Sequence, residues 1–302
     1  MTAGIRPFSR QGGLLMLRRL TRALAAVPGG VRCLHLGRYV LPKPKAPITI
    51  ADFDGDLTMT LRLDEHMQGF IFWNGGYNRD LARLLDRILR PGMTVIDAGA
   101  NVGEITLLAA KRVAPDGVVV AFEPVREIAD TLSANLAANG FSHAVVRMMA
   151  LSDAEGALPI YRAREPIRDG SINDGMGSLF IGDRDLVEAG TIPVSTLDHQ
   201  VAELGLAKVD VIKMDIEGAE LPALRGAEAV LRRDRPVLIV EVQEETARAA
   251  GYAAVDLFAY LARLGYRFDT IQVDGGVRPL DQGQLKPIQN VLCVPVGRGD
   301  VG

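Results

Sequence analysis

The stretch that most constrains this chain is Val95-Ile96-Asp97-Ala98-Gly99-Ala100-Asn101-Val102-Gly103. Thr94, Val95 and Ile96 are apolar or β-branched, as a strand covered on both faces requires. Asp97 falls where that strand ends, Gly99 and Gly103 bracket a tight turn, and an apolar helix is expected over 102–112. A strand, a glycine turn and a helix N-terminus form a cradle for a polar or anionic ligand. The glycines let backbone approach it, and free N–H groups point at it. The alternative is a turn that merely closes a βα unit.

The details of the turn narrow the ligand. The Gly-x-Gly-x-x-Gly of a dinucleotide site is missing, and no Gly-Lys-Ser/Thr of a P-loop follows. A second acid, Glu123, ends the next apolar run, Gly117 to Phe122, where a carboxylate can accept both hydroxyls of a ribose. A nucleoside without phosphate fits best, and S-adenosylmethionine is such a ligand.

The motifs continue in order. Ala121-Phe122-Glu123-Pro124, Ala150-Leu151-Ser152-Asp153, Ile212-Lys213-Met214-Asp215-Ile216-Glu217-Gly218-Ala219-Glu220, Leu224-Arg225-Gly226-Ala227 and Val240-Glu241 follow the turn. Together with it they resemble the FkbM family of methyltransferases over about residues 75–245. The resemblance implies a class I S-adenosylmethionine fold with a closing antiparallel strand pair and, usually, methylation of an oxygen.

Strands are expected near 93–97, 118–122, 144–149, 209–214 and 236–242, with two more at 266–272 and 288–296. Helices are expected near 102–112, 125–139, 217–232 and 253–264. This alternation predicts an α/β fold: a doubly wound, mostly parallel seven-stranded sheet with ligands at the carboxyl ends of its strands. Before it, residues 48–72 look like β structure, with a hairpin turning at Asp54-Gly55, and a helix follows through Leu81, Leu84, Leu85 and Ile88. Trp73 and Tyr77 are read as core residues, with a roof over the cofactor as the alternative. Residues 48–302 would be the methyltransferase domain. An insertion at about 155–190, with a short strand at 157–161 and a glycine-rich loop, is read as a lid.

Residues 1–47 read as a basic arm and a Pro-rich linker. Nine Lys and Arg precede Asp52 and no acid does, leaving 25 basic against 37 acidic residues in the rest. An acidic body argues against a nucleic-acid groove, whereas the arm suits an anionic membrane surface. Leu17, Leu20, Leu24 and Val27 recur at helical spacing and predict the buried face of a helix. Two cysteines, Cys33 and Cys293, give no disulfide framework, and no apolar run spans a bilayer, so the expected location is cytoplasmic, with peripheral membrane contact through the arm.

The cofactor residues expected are Asp97, Gly99, Ala100, Asn101, Gly103, Glu123, Ser152, Asp153 and Asp215, with Glu123 on the ribose and Ser152 and Asp153 beside adenine. If the acceptor is a hydroxyl on a small molecule, glycan or lipid, a base must take its proton, and Asp215, Glu217 and His199 are the candidates. His199 stands where the family often has a second acid. First-turn acids such as Glu217 and Glu220 also stabilise a helix without any catalytic role. Asp215, Glu217 and Glu241 offer oxygen ligands, but no spacing fixes them and no metal is expected. An NAD-dependent oxidoreductase and a non-catalytic, membrane-associated binding module are the competing readings.

Overall fold

A computed structural model describes residues 10–25, 27, 30, 41–163, 177–182, 185–297 and 299. The described chain forms two compact units, one ending at Tyr77 and one starting at Asn78. The insertion loop at 164–176, the linker turn at Pro28-Gly29 and Cys33 lie outside the described residues.

The first unit holds helix α1 (Arg10–Ala25), strands β1 (Ile48–Phe53) and β2 (Leu57–Leu61), and helix α2 (His66–Asn74). β1 and β2 pair antiparallel across Asp54 and Gly55, both at positive φ, and bury Ile48, Ile50, Leu57, Met59 and Leu61. Three expectations fail here. Residues 66–74 are helical, although Phe70-Ile71-Phe72-Trp73 favours a strand by composition. Glu65 caps the helix by accepting from the Gln68 amide at 2.7 Å, and Gly75 ends it in the left-handed region. The inner face of α1 is also not the leucine stripe. Arg18 and Thr21 are buried, while Met16 and Leu20 are 59% and 61% exposed and Val27 is exposed. Asp52 decides this: it pairs with Arg18 and Arg22, and the Arg18 guanidinium lies 5.3 Å over the Phe72 ring. A buried guanidinium needs such partners. Trp73 is buried edge-on against Phe72 as a core residue, whereas Tyr77, also expected in the core, is exposed and only meets Phe70 edge-on.

The second unit begins with α3 (Arg79–Ile88) and runs through β3 (Thr94–Ala98), α4 (Glu104–Val113), β4 (Val118–Phe122), α5 (Arg126–Ala138) and β5 (Ala144–Arg147). The insertion follows as β6 (Ala150–Leu151), β7 (Gly156–Ala163) and β8 (Leu186–Ser195), then α6 (Leu197–Glu203). The main alternation resumes with β9 (Val211–Met214), α7 (Glu220–Arg225), α8 (Glu228–Asp234), β10 (Val237–Gln243), α9 (Glu244–Ala249) and α10 (Ala254–Arg263). β11 (Tyr266–Ile271), β12 (Val277–Pro279) and β13 (Ile288–Pro295) complete it.

The main sheet has the order β12-β11-β13-β10-β9-β3-β4-β5. β5, β4, β3, β9 and β10 are parallel, and β13 lies antiparallel between β10 and β11. The eighth strand is the short β12 at the edge, beyond the seven expected. The chain winds out from β3 to β5 and returns to β9, so strand order reverses between β3 and β9. Ligands bind at the carboxyl edge of such a reversal, because the loops there diverge and leave a crevice. On one face Ile96, Ala98, Val120, Phe122, Ile212, Met214, Leu238 and Val240 pack with Leu221, Leu224, Leu231, Leu257 and Leu261 of the helices. Each such side chain contributes about 1.5–3 kcal/mol on burial. The alternate residues Asp97, Lys213 and Glu241 point the other way.

The helix expected over 217–232 is broken into α7 and α8 at Gly226. A Cβ there would sit 2.1 Å from the Ser152 carbonyl oxygen, so the Leu-Arg-Gly-Ala motif marks a close crossing of two backbones. The insertion is more regular than a loop: β8 pairs with all of β7 and with β6 in a separate three-stranded sheet.

Candidate active site

The turn after β3 is fixed from both sides. The Gly99 and Ala100 amides donate to the Phe122 carbonyl at 3.0 and 3.1 Å. Gly99, Asn101 and Gly103 all have positive φ, which glycine adopts freely and asparagine tolerates. A Cβ on Gly99 would lie 1.8 Å from the Asp215 carbonyl oxygen, and one on Gly103 2.5 Å from Leu132. Asp97 is fully buried. Its Oδ2 accepts from Thr106 at 2.6 Å, and its Oδ1 makes no hydrogen bond but lies 3.4 Å from Lys213 Nζ. Glu123, also buried, accepts from the Asn101 and Val125 amides at 3.0 Å each, one on each oxygen. Each oxygen keeps a lone pair beyond those bonds. Burial pushes its carboxyl up to about 7 against the pull of the two amides.

Across the strand reversal stands a second group. Asp215 directly follows β9, and its amide donates to the Ala98 carbonyl at 3.2 Å. Glu241 on β10 stands near enough to Asp215, Glu217 and Glu220 to feel their charge. Burial, then the neighbouring Asp215, Glu217 and Glu220, raises the Glu241 carboxyl to about 10, so it holds a proton. Glu217 has φ 56°, and its carbonyl accepts from the Ser178 hydroxyl at 3.0 Å. Glu220 is turned inward: its carboxylate accepts from the Ile216 and Gly218 amides at 2.8 and 3.0 Å and meets the Tyr252 hydroxyl at 3.3 Å. It therefore shapes the loop, and burial raises it to about 7.

The remaining sequence candidates are Ser152, Asp153 and His199. Ser152 is buried and its amide donates to the Ser195 carbonyl, whereas Asp153 is exposed beside it at 3.4 Å. His199 is on α6, half exposed, with Nδ1 2.9 Å from Glu155 and Nε2 3.7 Å from Glu203. No described contact joins it to Asp215, Glu217 or Glu241. Among the described residues no group of three His, Cys, Asp or Glu is arranged to hold a metal ion.

The sequence model of the methyltransferase FkbM domain matches residues 97–268. This chain belongs to the FkbM methyltransferase family. The FkbM match starts at Asp97 and takes in the glycine turn, Glu123, the insertion, β9 and β10. It supports neither the oxidoreductase nor the binding-module reading. The chain is 30% identical over 237 residues to the AMB antimetabolite synthetase AmbE of Pseudomonas aeruginosa, covering 69% of this chain and 11% of that protein. It is 30% identical over 156 residues to the methyltransferase sdnD of Sordaria araneosa, covering 44% of this chain and 60% of that one. The chain thus spans less than two thirds of either relative. Among solved structures, the methyltransferase FkbM from Methylobacillus flagellatus is 18% identical with a TM-score of 0.45, over 76% of this chain and 52% of that one.

Within this FkbM domain, sequence reasoning passed over Lys213 and placed Glu241 only as an oxygen ligand. Both alternate with apolar residues inside buried strands, and that alternation was the available signal.

The two buried glutamates make stability depend on pH. Glu123 and Glu220 titrate near 7 when folded and near 4.5 when free. Between those values the folded chain holds more protons than the unfolded one, so stability falls as pH rises; the share of these two is lost by about 7, and Glu241, raised to about 10, extends the fall to higher pH. Asp52 and Asp234, whose carboxyls are held low despite burial by their arginine partners, act only below about 4. The ligand-free protein should therefore melt at a higher temperature at pH 6 than at pH 8 in differential scanning fluorimetry. A flat or opposite trend would contradict the burial of these two groups.

Proposed function

We propose that this chain is an S-adenosylmethionine-dependent methyltransferase that methylates a hydroxyl on a small molecule, glycan or lipid. The supporting observation is the meeting of Asp97, Glu123 and Asp215 at the ends of three adjacent strands, around a turn that has no room for a Cβ at Gly99. In this reading Glu123 accepts the ribose hydroxyls through its remaining lone pairs, and the backbone from Gly99 to Gly103 follows the nucleoside. Asp97, with Oδ1 held beside an ammonium rather than hydrogen-bonded, faces the amino-acid end. Ser152 and Asp153 lie toward adenine.

The cofactor supplies an electrophilic methyl group on sulfur. When it is bound, the acceptor oxygen would take that methyl group as the C–S bond breaks, and S-adenosylhomocysteine would leave. The hydroxyl proton goes to Asp215. Glu241 already holds its own proton, so it is not the base. Glu217 is the second choice because it stands at the same edge. Half-exposed His199, engaged with Glu155 and Glu203, is the weakest of the three.

We read residues 48–302 as the methyltransferase domain and the insertion as its cover. Gly177 comes within reach of Ile160 and Val125, Ser178 bonds to Glu217, and Gly182 meets Ala249, so this returning segment follows the ligand edge. Among the described residues no helix is long and apolar enough to cross a membrane. The membrane contact expected of the arm would use the outward Met16, Arg19 and Leu20 of α1.

Isothermal titration of S-adenosylmethionine and S-adenosylhomocysteine into the wild type and Glu123→Ala tests the cofactor site. Both ligands should bind the wild type, and the substitution should weaken them at least tenfold, the scale of losing a charged hydrogen-bond acceptor. Folded wild type that binds neither would overturn the reading.

A further inference from the structure

Lys213 is the third residue of a four-residue strand in the middle of the sheet, and its side chain is 5% exposed. Burying an ammonium costs several kcal/mol unless its protons are used. They are used at one place. Nζ donates to the Gly99 carbonyl at 2.8 Å and to the Ala98 carbonyl at 3.3 Å, and it lies 3.4 Å from Asp97 Oδ1 and 3.7 Å from Asp215 Oδ2. Burial alone would lower its pKa, but Asp97, Asp215 and Glu241 outweigh that and raise it, so the ammonium stays charged.

The placement is peculiar to this residue. β3 and β9 pair in register as far as Ala98 opposite Met214, and beyond the pairing Gly99 packs directly against the Asp215 backbone. The Asp215 amide already uses the Ala98 carbonyl. No strand pairing remains for the Gly99 carbonyl, and Lys213 supplies its donor from below. A methionine or leucine would fill the same space without offering a proton.

We propose that Lys213 is a positioning residue for methyl transfer: its ammonium clamps the glycine turn of β3 to the end of β9, setting the distance between the cofactor cradle and Asp215. This rests on the reading of the site as an S-adenosylmethionine site. The groups facing Lys213 are Asp97 from β3, Asp215 from β9, Glu241 from β10 and, more distantly, Glu123 after β4.

The test compares wild type, Lys213→Arg and Lys213→Met by titration of S-adenosylhomocysteine and by turnover. Lys213→Met should weaken binding at least tenfold and lower kcat further still at saturating cofactor, because the cradle and Asp215 lose their fixed separation. Lys213→Arg, which keeps a charged donor, should recover a substantial part of both. A second measurement reads the wild type directly. The Lys213 ammonium, shielded from solvent, should give a slowly exchanging 15N signal that shifts when S-adenosylhomocysteine is added. Unchanged affinity and kcat in Lys213→Met, or no difference between Met and Arg, would overturn the proposal. If Lys213→Met does not fold, an ammonium signal indifferent to the ligand would do so. If wild type binds no cofactor, the cofactor reading itself falls, which is a separate outcome.

Discussion

Gly99→Ala is expected to abolish measurable S-adenosylmethionine binding while leaving a folded protein. Two costs coincide there. A non-glycine residue at φ +73° costs about 1–2 kcal/mol. The new methyl group would also stand 1.8 Å from the Asp215 carbonyl oxygen, less than any tolerable contact. Relief requires the turn to move away from β9 by more than an ångström, and reacting groups displaced that far lose about a hundredfold in rate even where binding survives. Gly92→Ala is the control. It carries a comparable strain, at φ +84°, but an added Cβ meets nothing within 4 Å. Calorimetry and circular dichroism on both variants separate the terms. Gly92→Ala should be mildly less stable with unchanged affinity. Near wild-type affinity in Gly99→Ala would mean that the turn is not part of the cofactor cradle.

Asp215→Asn should lower kcat by about 10²–10⁴-fold, the range for removing a positioned general base. Asparagine keeps the size and the backbone amide that donates to Ala98, so affinity for S-adenosylhomocysteine should change only a few-fold. Glu217→Gln and His199→Ala, assayed with the same acceptor, should each cost less than tenfold. An Asp215→Asn enzyme with wild-type kcat would shift the role to Glu217 or show that the acceptor loses its proton to solvent.

The sequence made the βα alternation readable because each parallel strand is a short apolar run and each helix carries its own period. Asp97, Glu123 and Asp215 were legible for the same reason: each interrupts or ends such a run. The parts that escaped depend on contacts distant in the chain. The inward face of α1 is chosen by Asp52, more than thirty residues away. The break between α7 and α8 is set by the Ser152 backbone. β8 contains Gly190 and Pro193 and is a strand because β7 pairs with it. His199 looked catalytic on its intrinsic chemistry, but α6 turns it toward Glu155 and Glu203. Lys213 was passed over because a basic residue among apolar ones reads as exposed until the carbonyls around it are located.

The antiparallel β13 has a consequence for biosynthesis. It lies between β10 and β11, so the latter two cannot join the sheet through one another. As the chain leaves the ribosome, β10 remains an open edge and β11, paired only with β12, cannot be joined to β10 until Pro295 has emerged. The five parallel strands must therefore hold together with an unpaired edge during that interval, a state prone to pairing with other chains. The exposed Ile288 and the polar Gln289 and Asn290 lead into this late strand, followed by five buried residues from Val291 to Pro295. Final closure of the sheet thus waits on its last strand, whereas the ligand edge between β3 and β9 is complete once Asp215 is in place.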